Sequence, residues 1–154
     1  MNNIEYVVLS CLLYDEDYLR KVIPFIKKEY FESSNGAIVF DEINKFVEKY
    51  NRLPTKETLC LDISNRNDVT QDAYADLLES VDDLERMKDV DMKWLVDTTE
   101  GWCKKRALYN AMVDALQIAD GVDKTRNQDA IPDLIKDALS VCFDNNIGHD
   151  YYGS

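Results

Sequence analysis

Four cysteines, a single histidine and thirty acidic residues are the side chains of this 154-residue chain best suited to chemistry, and their spacing withholds most of it. Cys11, Cys60, Cys103 and Cys142 lie far apart, each in an apolar helical pattern, with no Cys-x-x-Cys pair among them. With His149 as the only imidazole, no structural zinc set can be assembled, and the cysteines read as small buried hydrophobes of a reducing compartment. His149 also lacks a cysteine or acid at a catalytic spacing. The acidic stretches DDLERMKDVD (82–91) and DGVDKTRNQD (120–129) lack the central glycine and closing glutamate of a calcium loop, so they read as solvated linkers. Gly36, Gly101, Gly121, Gly148 and Gly153 are followed by Ala, Trp, Val, His and Ser, so no glycine opens a Gly-Lys-Ser/Thr phosphate cradle.

What remains is binding. The basic run Lys104, Lys105, Arg106 sits in a helical pattern among acids and reads as a solvated or ion-paired face. Trp94 and Trp102, on the same helix, read as core anchors first and partner contacts second. The formal charge of −12 repels phosphate chains and anionic membranes, which predicts weak or no binding of DNA. No secretory leader and no bilayer-length apolar run is present, since the stretch Tyr6–Tyr14 meets Asp15 to Asp17 at once; the expectation is a cytoplasmic protein without membrane contact.

The elements that would position these residues are all helical by period. Asn2 or Asn3 caps a first helix that is apolar nearly all round, and Asp15 opens a second that Pro24 kinks or ends. Residues 28–31 connect to a third helix, from about Ser34 to Tyr50. Thr55 caps a fourth with Leu59, Leu61 and Ile63 available for burial, and a fifth starts near Gln71. The longest pattern runs from Asp91 to about Asp120 and closes at Gly121; the last helix is expected from about Asp129 to Phe143. The fold class is all-α, a helical-bundle head followed by a long α-hairpin.

The hairpin carries more apolar surface than its own seam needs. At about 100° per residue, apolar side chains between Leu108 and Ala119 cover roughly 220° of the first arm, and those between Ile131 and Phe143 roughly 200° of the second. The surplus predicts a further contact, with the body of the domain or with another subunit. The candidate residues are Leu108, Met112, Ala115, Leu116 and Ala119 on the first arm, and Ile131, Leu134, Ile135, Ala138, Leu139 and Cys142 on the second.

The succession VVLSCLLYDEDYLRKVIPFIKKEYF, IVFDEINKFVEKYNRLPTKETL, KKRALYNAMVDALQIAD and AIPDLIKDALSVCFDNNIGHDYY resembles the N-terminal region of DnaB-family replicative DNA helicases, in particular those of T-even-type phages. KEYFES (28–33), WLVDTTE (94–100) and SVCFDNNIGHDYY (140–152) are its most distinctive stretches, and all are packing signatures without catalytic residues. The resemblance implies a head over 1–90, a long helix and α-hairpin over 91–143, and the start of a linker over 144–154 leading to a RecA-like motor that this sequence lacks. It implies a collar of a hexameric ring that serves assembly, self-association through the hairpin, and recruitment of primase and helicase loader in phage DNA replication. ATP, Mg and ATP-dependent unwinding would belong to the motor, and this stretch would hold no cofactor and be no enzyme alone. The alternatives are a free-standing all-α replication adaptor or loader-like protein and, with little support, a carboxylate-dependent hydrolase.

Overall fold

Nearly every helix of the chain starts on a side chain that accepts a hydrogen bond from a backbone N–H of the first turn. The computed structural model describes residues 1–143. The caps are Asn2 for α1 (Asn3–Tyr14), Asp15 for α2 (Glu16–Val22), Ser33 for α3 (Ser34–Tyr50), Thr55 for α4 (Lys56–Ser64) and Thr70 for α5 (Gln71–Asp82). Asp91 accepts from the Trp94 N–H at 2.8 Å at the start of α6 (Met92–Ala119). Each such cap satisfies a donor the helix cannot, worth about 1 kcal/mol. Short 3₁₀ helices span Lys28–Tyr30 and Gln128–Ala130, the second leading into α7 (Ile131–Leu139); among the described residues there is no strand. The all-α expectation holds. Residues 144–154, with the expected linker start and His149, lie outside the described residues.

The chain forms two compact units, Met1–Val96 and one that begins at Asp97. In the first, α1 supplies the centre: Val8, Leu9 and Leu12 are fully buried, and the helix packs on α2 and α3, while α3 packs on α4 and α5. Fully burying each such leucine contributes about 2 kcal/mol. Phe31 and Phe40 stack at 5.4 Å across the first 3₁₀ turn and α3. The segment after α5, expected as a solvated linker, is instead fastened to the head. Leu84 is fully buried, Tyr6 Oη donates to the Asp83 carbonyl at 3.0 Å, and Lys56 Nζ donates to the Asp82 carbonyl at 2.7 Å.

Two other expectations change. Leu59 and Ile63 are buried as expected, but Leu61 is 64% exposed, because residues four apart share a face of α4 and Leu61 lies about 200° from the first of them. α7 ends at Leu139 rather than Phe143. Ser140 Oγ donates back to the Asp137 carbonyl at 2.7 Å, and the Phe143 N–H donates to Glu100 Oε2 at 2.8 Å, so a tertiary bond claims a donor that another helical turn would need. That bond ties residue 143 to Glu100 of α6 within the second unit. Between them, Gly121 (φ 77°) ends α6: its N–H bonds the Ile118 carbonyl and the Val122 N–H bonds the Gln117 carbonyl. This is the left-handed cap the glycine predicts.

Candidate subunit-interface surface

On α6, Ala111 and Ile118 are buried, and they lie within about 20° of each other on one face of the helix. Tyr109, Met112 and Leu116 project from the opposite face, within an arc of about 60°, and are 56%, 53% and 62% exposed. Ala119 continues that outer stripe, whereas Leu108 and Ala115 lie half-buried at its flank. The Arg106 guanidinium stands 4.8 Å above the Tyr109 ring, so the stripe begins under a cation. On α7, Ala138 is buried, Ile131, Leu134 and Ile135 are half-buried, and Leu139 is 65% exposed. Cys142 is exposed and lies past the helix end.

The eleven candidates therefore separate. Met112, Leu116, Ala119, Leu139 and Cys142 are open to a partner, and Ala138 is already covered. Tyr109, in the apolar arc but outside the candidate set, belongs to the stripe; its spacing of three and seven residues from Met112 and Leu116 was the signal for it.

The titratable groups elsewhere are structural. Arg66, in the polar stretch after α4, gathers three carboxylates: Nη1 reaches Glu42 at 2.6 Å and Asp41 at 3.0 Å, and Nη2 reaches Asp68 at 2.7 Å. Hydrogen bonds that Arg66 donates to Asp68, and then to Asp41 and Glu42, outweigh burial and make it hold its proton more tightly than usual. Burial pushes the Asp41 carboxyl up, but bonds from Arg66 and Lys45 overcome this and leave it below its ordinary value. Glu5 is fully buried, and its Oε2 accepts the Glu32 N–H at 2.7 Å. Gly36 leaves room for that carboxylate, since a Cβ there would meet Glu5 Oε1 and the Phe31 ring at 3.0 Å.

The thiols are graded. Burial, with Asp15 adding, raises Cys11 to about 11, and burial, with Glu100 adding, raises Cys103 to about 12. Cys60 is half-buried and Cys142 exposed, so only two of the four are the buried hydrophobes expected. Of the tryptophans, Trp102 is buried and Trp94 is 54% exposed. Among the described residues no cluster of His, Cys, Asp or Glu could hold a metal ion, and no helix is long and apolar enough to cross a membrane.

The first unit is thus a set of capped helices around α1, and the second presents an exposed apolar stripe on α6. The sequence model of the DnaB-like helicase N-terminal domain family matches residues 1–90, more than half of the chain, and the chain belongs to that family. The DnaB-like replicative helicase of Enterobacteria phage T4 is 31% identical over 153 residues, covering 94% of this chain and 32% of that protein. The chain thus spans about a third of the length of this curated relative.

Proposed function

We propose that this chain is the N-terminal collar region of a hexameric replicative DNA helicase. Residues 1–90 serve as the head, 91–143 as the long helix and hairpin, and 144–154 lead toward a RecA-like motor. The collar assembles the ring and recruits primase and helicase loader in the cytoplasm of the host cell. ATP, Mg and strand separation belong to the motor. The observation that carries this reading is the outer stripe of α6. Tyr109, Met112 and Leu116 expose more than half of their surface on the helix face opposite Ala111 and Ile118, where intramolecular burial leaves them out. An apolar stripe at helical spacing on a protein of net charge −12 has one economical use, burial against its own symmetry mate, because an isologous contact needs only one self-complementary patch.

Sedimentation velocity across a concentration series tests the assembly step. The 154-residue chain is expected to reach a dimer with a dissociation constant on the order of 100 µM or tighter. Met112→Asp and Leu116→Asp are expected to remain monomeric with unchanged helical circular dichroism, because both side chains are exposed. A wild-type chain that stays monomeric at hundreds of micromolar sinks the stripe as an interface. Reading the gene past codon 154 tests the helicase assignment separately, through the presence or absence of a Gly-Lys-Ser/Thr sequence.

A further inference from the structure

The outer stripe of α6 carries a direction that its apolar residues alone do not show. Among residues 104–120, the charged side chains nearest the line through Tyr109, Met112 and Leu116 are Lys105 at its start and Asp120 at its end, both exposed and within about 50° of it. Asp120 follows the last residue of α6, yet its N–H bonds the Leu116 carbonyl at 2.9 Å and keeps it on the helical path. Lys104 and Arg106 lie farther round the helix, at about 90° or more, and Asp114 faces the opposite side.

The arrangement is symmetric in position and antisymmetric in charge. Lys105 precedes Met112 by seven residues and Asp120 follows it by eight, roughly 10 and 12 Å along the axis. Tyr109 and Leu116 stand nearer on either side, three and four residues away. About 22 Å separate Lys105 from Asp120 along a straight helix, so the two cannot meet within one chain.

We propose that the stripe pairs with α6 of a second copy in antiparallel alignment, Met112 near the two-fold axis, Tyr109 facing the partner's Leu116 and Lys105 facing the partner's Asp120. This alignment rests on the stripe being a self-contact, and charge complementarity selects it. Reversed on itself, the order of cation, apolar seam and anion meets its own complement, and the two-fold repeats the ion pair at each end. A parallel pair sets Lys105 against Lys105 and Asp120 against Asp120, two like-charge contacts flanking the same seam. Exposed ion pairs add little affinity, so their part is to exclude that alternative.

A charge-reversal cycle on the intact 154-residue chain, read by sedimentation velocity at low salt, tests the alignment. Lys105→Glu and Asp120→Lys are each expected to raise the dimer dissociation constant about tenfold, since each turns two attractions into two repulsions. The double variant Lys105→Glu/Asp120→Lys restores both attractions and is expected to associate within about twofold of the wild type. Both side chains are exposed, so helical circular dichroism should not change. A wild-type dimer that Met112→Asp breaks but neither single reversal weakens overturns the antiparallel alignment and leaves the stripe as the interface. Weakened single variants whose double variant stays weak overturn it too, because the charges then act within a chain. A wild-type chain that never dimerises removes the self-contact itself, and the alignment with it.

Discussion

Arg66 shows how much a single side chain can organise without any motif to announce it. Its side chain is 13% exposed and that of Glu42 is 8% exposed, so Arg66→Ala strands a carboxylate where water reaches it poorly. The expected loss is about 2–4 kcal/mol by urea denaturation at neutral pH, and Arg66→Lys should recover only part of it, since a point charge cannot span three carboxylates. The pH dependence follows from Asp41, whose folded-state value lies below its ordinary one. Its contribution is present above about pH 4 and fades as pH falls through the depressed folded value. The gap between wild type and Arg66→Ala should therefore narrow between pH 7 and pH 3; an equal gap at both contradicts this account. This site was not legible in sequence, because Arg66 finds Asp41 and Glu42 about two dozen positions away, across a helix-to-loop contact. The same holds for Glu5, whose partner Glu32 is 27 residues distant.

At the scale of elements, local chemistry was the better guide. Asn2, Asp15 and Thr55 cap where side-chain acceptors precede apolar runs, and Gly121 ends α6 with the positive φ that the sequence suggested. The end of α7 was hidden because a tertiary bond from Phe143 to Glu100 decides it. Leu61 was misplaced by counting apolar residues instead of faces. Within α6, Gly101 has no positive φ and nothing within 4 Å of where a Cβ would stand, so no packing reason for a glycine exists there. Gly101→Ala should raise stability by about 0.5–1 kcal/mol, by removing backbone freedom from the unfolded chain. A higher urea midpoint with unchanged slope is the expected result, and a lower midpoint would reveal a bend that glycine permits.

For the whole molecule, net charge bears on which partners the chain can bind. With a formal charge of −12, it should bind single-stranded DNA poorly at physiological salt. Anisotropy with labelled oligothymidylate should show no saturation below the micromolar range, and a sub-micromolar dissociation constant would contradict the electrostatic argument. Composition and periodicity carried the fold class and the existence of surplus apolar surface. Which part of that surface faces solvent depended on tertiary packing, which buries Ala111 and Ile118 and leaves Met112 and Leu116 outside.

The grading of the thiols gives each unit its own native reporter. Cys11 is buried in the first unit and Cys103 in the second, and both are held far above neutral pH as thiols. An alkylating reagent reacts with the thiolate and needs access, so neither residue is modified until its surroundings open. Their modification rates, read by peptide mass spectrometry after the fast labelling of Cys142, therefore record two separate opening equilibria. The wild-type chain can in this way disclose whether its two units unfold together or in turn, with no engineered probe.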